Sequence, residues 1–198
     1  MIITLATSNP HKVDEINLIA KKYDIKFVLP GGDFNHEETG DNFLANAACK
    51  ARAAALSGST KLYLADDSGL CVDILGGAPG IYSARYAPSA DERIDKLLLN
   101  LENYPDIKDR SAKFVCAMVV VNKNGDTIYQ VQKECKGYIM QKRQGTNGFG
   151  YDPVFFVNLV NKGMAELSPD EKSQVSHRGK SLNEVFKWLE TVRDIYKD

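Results

Sequence analysis

The stretch IITLATSNPHKVDEINLIAKKY, residues 2–23, begins as an apolar run, turns at Ser8 and Asn9, and continues as a charged segment whose apolar residues recur at helical spacing. Residues 2–6 read as a buried strand, since a short unbroken apolar run closed by turn residues fits a strand covered on both faces. Asn9 reads as a helix cap, and Pro10 sits at the first helical position, where its missing N–H is harmless and its fixed φ already suits the helix. The helix is expected to reach about Tyr23, with Val13, Ile16, Ala20 and Tyr23 on its inner face. A strand that feeds a helix through a tight turn is the opening of an α/β fold.

The rest of the chain extends this pattern. Residues 25–29 read as a second short strand ending at Pro30 and Gly31, and the polar stretch GGDFNHEETGD follows as a loop. An alanine-rich helix is expected over about 42–57, capped by Asp41 and closed by Gly58. Residues 62–65 form another buried strand that delivers Asp66, Asp67, Ser68 and Gly69 to its end. The loop GGAPGIYSARY starts at Gly76, and Ser89 with Glu92 forms a capping box for a helix that stops before Pro105. Residues 113–121, the turn NKNG and residues 127–139 make a β-hairpin, and the loop GTNGFGYDP leads into a strand at 154–157. Ser168, Pro169 and Glu171 open a short helix. Ser181 with Glu184 is expected to cap a final helix whose Leu182, Val185, Phe186, Leu189, Val192 and Tyr196 face inward. Strands and helices alternate early and a hairpin comes late, which predicts a mixed α/β sheet flanked by helices in a single domain over 1–198.

Composition narrows the function classes. The 198 residues are 43% hydrophobic and 26% charged, values that support a packed core and argue against disorder or a disulfide-stapled mini-protein. Lys+Arg 25 against Asp+Glu 26 leaves a formal net charge of -1, so no broad positive field exists to hold a nucleic-acid polymer. The longest apolar run, 114–121, is far below the roughly 20 residues a membrane-crossing helix needs. The first residues lack the basic and apolar regions of a signal peptide, and Cys49, Cys71, Cys116 and Cys135 form no C-x-x-C pair, so a cytoplasmic protein with reduced thiols is expected. His11, His36 and His177 stand alone, without a second ligand at zinc-site spacing.

Four groups of residues could carry chemistry. In Thr7–Ser8–Asn9–Pro10–His11–Lys12 a strand-to-helix turn aims backbone N–H groups outward, where an anion can collect them. Lys12 in the first helical turn is unfavourable unless an anion meets it; alternatively Asp14 and Glu15 offset an exposed lysine. The chain has no Walker phosphate loop. Glu37 and Glu38, with Asp66 and Asp67, form two carboxylate pairs that could converge on a divalent cation, or serve as solvated loop charges and turn formers. Lys50 lies on the side of its helix that starts apolar, where it either meets an anion or extends its ammonium to the boundary of the core. Phe149, flanked by glycines, can offer its ring to a flat heterocycle, and Arg178 can donate to keto oxygens and ring nitrogens. The alternatives are a phenylalanine pinned into the core and ordinary surface charges at Lys172, His177 and Arg178.

Taken together, TSNPHKVDE from Thr7, EETG from Glu37, NAACKAR from Asn46, ADDSGL from Ala65, LGGAPGIYSARY from Leu75, GFGYDP from Gly148 and EKSQVSHRG from Glu171 resemble the inosine triphosphate pyrophosphatase family over nearly the whole chain. The resemblance implies an elongated mixed α/β fold of two lobes with a substrate cleft between them, usually a homodimer. It also implies Mg²⁺-dependent hydrolysis of ITP, dITP and XTP to monophosphate and pyrophosphate. By resemblance, Thr7, Ser8, Asn9, Pro10, His11, Lys12 and Lys50 bind the triphosphate, and Glu37, with Glu38 as the second candidate, and Asp67 hold Mg²⁺. Asp67 also accepts the proton of the attacking water, and Asp66 and Ser68 support it. Phe149, Gly150, Tyr151, Asp152, Lys172, His177 and Arg178 line the base and sugar site. Asn147 departs from the pattern, standing where the family commonly has a second glycine.

Two rival readings remain at the level of the residues. A phosphohydrolase of the Maf-like type would carry Ser-x-Ser-Pro-Arg-Arg near its start, where this chain has TSNPHK. A non-catalytic nucleotide-binding module would need the lysines and Phe149 but not the carboxylates.

Overall fold

The computed structural model describes every residue except 32–33, 35–37 and 197–198. In chain order the elements are β1 (Ile2–Leu5), α1 (Pro10–Ala20), β2 (Lys26–Val28), α2 (Phe43–Ser57), β3 (Leu62–Val72), α3 (Ala90–Asn100), β4 (Ser111–Asn122), β5 (Thr127–Ile139), β6 (Phe155–Val157), β7 (Lys162–Gly163), α4 (Pro169–Val175) and α5 (His177–Thr191), with short 3-10 turns between some of them. The sheet order is β2-β1-β3-β4-β5-β6-β7. β1 is parallel to β2 and β3, whereas β5–β6 and β6–β7 are antiparallel, so the sheet is mixed as expected.

The chain divides into two compact units. Unit 1 comprises Met1–Asp67, Cys116–Lys133 and Arg178–Asp198; unit 2 comprises Ser68–Val115 and Glu134–His177. Unit 1 has two cores, because successive residues of a strand point to opposite faces. Ile3, Leu5, Leu62, Leu64, Cys116, Met118 and Val120 pack against Ile16 and Ile19 of α1 and Leu182, Val185, Phe186 and Leu189 of α5. Ala6, Tyr63, Ala65, Val119 and Val121 pack against Ala47, Ala51 and Ala54 of α2. The core of unit 2 gathers Leu70 and Val72 of β3, Ile94 and Leu97 of α3, and Phe114, Ile139, Phe155 and Val157 of β4, β5 and β6. Buried Arg110 closes its edge, donating to the carbonyls of Leu101 (2.8 Å) and Tyr104 (3.0 Å) beyond α3 and of Ile139 (2.7 Å) and Met140 (3.0 Å) at the end of β5. Carbonyls at the end of a helix have no partner within it, and Arg110 supplies one.

Four local expectations are corrected. Helix α1 stops at Ala20, and Ile19 joins Ile16 and Ala20 on its buried face. Asn42, not Asp41, caps α2: its side chain reaches the Ala45 N–H at 2.9 Å, the third helical position, while Asp41 accepts from the Asn42 amide at 2.8 Å. Asn42→Ala is therefore expected to cost about 1 kcal/mol in urea unfolding, with Asp41→Ala within about 0.5 kcal/mol of the parent. Ser181 is no cap: α5 already starts at His177, and the buried Ser181 hydroxyl donates to the Cys116 carbonyl at 2.8 Å. Finally, β3 does not end at Ala65 but runs on through Asp66 and Asp67 to Val72. The capping box at Ser89, the short helix opened by Ser168, Pro169 and Glu171, and the hairpin between β4 and β5 form as expected, and Ser168 with Glu171 proves to be a capping box as well.

Candidate active site

The turn after β1 belongs to unit 1. Thr7 is buried and its hydroxyl accepts from the Asn9 N–H at 3.2 Å; Asn9 caps α1 by accepting from the His11 N–H at 3.0 Å. Ser8, Pro10 and His11 are exposed. Lys12 does meet an anion, and the protein supplies it: its ammonium lies 3.0 Å from Asp66 Oδ2. The charges near it in sequence are not what balances it, for Glu15 turns instead to Arg178 at 2.5 Å.

The correction to β3 reorganises the acidic pair. Asp66 and Asp67 are not turn formers at a strand tip but neighbours within a strand, so they face opposite sides of the sheet. Asp66 follows Leu62 and Leu64 to the side of α1 and α5, where Lys12 and Arg178 reach its Oδ2. Burial alone would raise the Asp66 pKa, but Lys12, Arg178 and Lys50 outweigh it and hold the carboxyl well below its ordinary value. Arg178, 3% exposed, is shifted upward: burial opposes its charge, and Asp66 and Glu15 more than compensate. The strand can continue through two acids because cations distant in sequence neutralise them.

Asp67 follows Tyr63 and Ala65 to the side of α2. There Asn46 donates to its Oδ2 at 3.0 Å, and the Lys50 ammonium lies 3.5 Å from its Oδ1 and 2.8 Å from Glu38 Oε1. Lys50 is buried, which alone would depress its pKa, yet Asp66, Asp67 and Glu38 raise it. Asp67 is shifted upward, first by burial and then by Glu38, against the pull of Lys50, Lys12 and Asn46. Two adjacent carboxylates are thus driven in opposite directions, the pattern that separates a permanently ionised group from one able to take a proton. Glu37, the first choice for a loop metal ligand, lies outside the described residues; Glu38, the second choice, is the one seen converging with Asp67. Among the described residues no group of three His, Cys, Asp or Glu could by itself hold a metal ion. Mg²⁺ needs fewer, since one or two carboxylates suffice when substrate phosphates and waters supply the remaining oxygens. The donor set fits that ion: two hard carboxylates already gather on a cation, and Lys12, Lys50 and Arg178 face four carboxylates, Glu15, Glu38, Asp66 and Asp67.

In unit 2 the loop before β6 forms a second cluster. Phe149 is half-buried between Gly148 and Gly150, both with positive φ, and its N–H donates to Asp152 Oδ2 at 2.9 Å. The same oxygen accepts from Lys172 at 2.6 Å, and the Lys172 ammonium stands 4.8 Å from the centre of the Phe149 ring. A Cβ on Gly148 would lie 2.1 Å from Asp152 Oδ2, so glycine is required there. Asn147 has no such constraint: its φ is not positive, and its backbone and side-chain amides donate to the carbonyls of Ala165 and Leu167 at 2.9 and 3.0 Å, so this departure leaves the loop anchored. Tyr151 is buried, its hydroxyl donating to the Ser83 carbonyl at 2.9 Å, and burial pushes its pKa up. His177 stacks on Phe114 at 4.8 Å, and Ser68 is half-buried in β3. Lys172 and His177 are therefore buried groups, not surface charges.

Two participants escaped the reading of the sequence. Glu15 looked like an offset to Lys12 but holds Arg178. Asn46 opens the NAACKAR stretch but was given no role, although an asparagine one turn before Lys50 on the buried face of an alanine-rich helix is a signal of its own.

The Ham1 family profile matches residues 3–188. A dITP/XTP pyrophosphatase of Treponema denticola is 42% identical, the match covering 96% of this chain and 98% of that protein. One from Bacillus cereus is 44% identical over 92% of each. Among solved structures, a HAM1 protein from Coxiella burnetii superposes with a TM-score of 0.87 at 38% identity, covering 96% of this chain and 99% of the other. The Ham1 protein of Staphylococcus aureus gives 0.84 at 39% identity, covering 96% and 99%.

Proposed function

Since the chain belongs to the Ham1 family, we propose that it hydrolyses the deaminated purine nucleoside triphosphates ITP, dITP and XTP to monophosphate and pyrophosphate, in a reaction that requires Mg²⁺. The observation that carries this reading is the convergence of Asp67 and Glu38 on Lys50, beside a second lysine on Asp66. A binding module needs cations for phosphate; it has no use for two carboxylates gathered on one of them.

In this reading Asp67 takes the proton of the attacking water, a step for which a buried, upward-shifted carboxylate is suited. Lys12 and Lys50 have three donors each, so they can keep a carboxylate and still turn an N–H toward phosphate. The turn from Thr7 to His11 adds the backbone donors and positive end of α1. Asp67 and Glu38, with Glu37 outside the described residues as the further candidate, would hold Mg²⁺, which supplies charge neutralisation at the phosphates. Asp66 serves by fixing Lys12 and Arg178.

Phe149, Gly150, Tyr151, Asp152, Lys172 and His177 are the proposed base and sugar residues of unit 2, with Phe149 as the stacking surface. Ser68 is retained as a supporting residue and Arg178 as a donor to the base. Deaminated purines carry a 6-keto acceptor where adenine has an amino donor, so a donor-only side chain favours them over ATP. Phe149→Ala is expected to raise KM for dITP about tenfold, the scale of one lost base–aromatic stack, with a smaller effect on kcat; an unchanged KM removes the ring from this role. The homodimer is proposed from the resemblance, and light scattering on the purified protein tests it. Among the described residues no helix is long and apolar enough to cross a membrane.

The deciding experiment is pyrophosphate release from dITP, XTP, ITP, ATP and GTP, with Mg²⁺ and with EDTA. Release from the three deaminated nucleotides, abolished by EDTA and restored by Mg²⁺, is expected. Binding without release from any nucleotide overturns the enzymatic reading, and undiminished release in EDTA overturns the metal.

A further inference from the structure

Asn46 has no exposed surface, and both ends of its side-chain amide are engaged. Oδ1 accepts from the Gly40 N–H at 2.8 Å, and Nδ2 donates to Asp67 Oδ2 at 3.0 Å. A backbone N–H can only donate, so the amide oxygen must face Gly40 and the NH₂ must face Asp67; the orientation follows from the chemistry of the partners. The approach is close: a Cβ on Gly40 would stand 2.7 Å from Asn46 Oδ1. Gly40 lies two residues after Glu38, and Lys50, one helical turn after Asn46, touches both Glu38 and Asp67. One amide therefore ties the segment that carries Glu38 to the carboxylate of Asp67. A helix face that otherwise carries Phe43, alanines and the ion-paired Lys50 would gain nothing from an asparagine unless both of its polar ends were used.

We propose that Asn46 is a positioning residue for the hydrolysis, holding Asp67 and the Glu38 segment in a single arrangement. The inference rests on the pyrophosphatase reading above. It predicts that the two bonds matter for turnover and cation binding more than for affinity for the nucleotide. Asn46→Asp keeps the acceptor for Gly40 and replaces the donor by a carboxylate that repels Asp67; Asn46→Leu removes both bonds at similar volume.

The test measures kcat and KM for pyrophosphate release from dITP, per folded molecule, for both variants in the parent and in an Asp67→Asn background, with Mn²⁺ affinity read by electron paramagnetic resonance. Expected are a fall in kcat of about tenfold or more, a KM changed less than about threefold, and weaker Mn²⁺ binding. In the Asp67→Asn background the same substitutions should change kcat less than about twofold, because their effect travels through Asp67. The proposal is overturned if both variants keep kcat and Mn²⁺ affinity within about twofold of the parent, or if the loss is undiminished in the Asp67→Asn background. Should Asn46→Asp fail to fold, Asn46→Leu, which buries no new charge, is read by the same criteria. A parent protein that releases no pyrophosphate refutes the underlying reading instead, and Mn²⁺ affinity alone then decides whether Asn46 organises the carboxylates.

Discussion

Asp67→Asn is expected to lower kcat for pyrophosphate release by two orders of magnitude or more, about the contribution of a positioned general base, with KM for dITP changed far less. The substitution keeps shape and volume. The new amide can turn its oxygen toward Asn46, so the bond that carboxylate Oδ2 now accepts at 3.0 Å can be preserved. What disappears is the negative charge beside Lys50 and the capacity to take a proton from water. The fold should tolerate the change: burial and Glu38 both disfavour the ionised Asp67, so a neutral side chain relieves strain of electrostatic origin. Thermal unfolding alongside the kinetics separates the two effects. A variant that folds as stably as the parent and turns over at a near-normal rate would remove Asp67 from the chemistry.

Arg178→Ala is expected to destabilise the protein by about 3–5 kcal/mol, the range for removing one partner from a buried charge network. Arg178 donates to Glu15 at 2.5 Å and lies 3.4 Å from Asp66, whose side chain is fully buried. Truncation leaves Lys12 as the sole remaining cation in direct contact with Asp66 among the described residues, and removes the guanidinium from which Glu15 accepts. Two-state unfolding in urea at neutral pH measures the loss, and a change below about 1 kcal/mol would mean that water takes over the role of the guanidinium. The sign with pH follows from Asp66: its pKa is lowered in the folded state, so its stabilisation is complete above the ordinary carboxylate range and fades as pH falls toward the depressed value. Arg178→Ala should accordingly lose most of its deficit relative to the parent in strong acid. Activity measured on the same variant bears on base selectivity only after this structural debt is known.

Local chemistry was legible where a residue and its partner lie within one turn of each other. Asn9 and Pro10, the boxes at Ser89–Glu92 and Ser168–Glu171, and the hairpin turn before Thr127 all form, because each is stabilised by neighbours in the chain. Lys50 was legible as an anomaly on an apolar stripe, though not its partners. The errors share one origin. Asp66–Asp67–Ser68–Gly69 has the composition of a turn, and cations from elsewhere in the chain, Lys12 and Arg178 at Asp66 and Lys50 at Asp67, make a strand there possible. Ser181 and Glu184 have the spacing of a capping box, but α4 and α5 abut at Ser176 and His177, so the helix starts earlier and turns Ser181 inward to Cys116. Asn46 makes its two bonds to residues 6 and 21 positions away, beyond the reach of any local pattern.

The composition of unit 1 from three separated segments has a consequence for biosynthesis. Its apolar core on the α1 side of β1 and β3 is closed by Leu182, Val185, Phe186 and Leu189 of α5, which is translated after every other part of that core. Ile3, Leu5 and Leu64 must therefore wait, covered by α1 but not by α5, until the ribosome has released α5, while every contiguous stretch of unit 2 up to His177 has already emerged. A nascent chain stalled before α5 should be the species that chaperones hold and proteases cut.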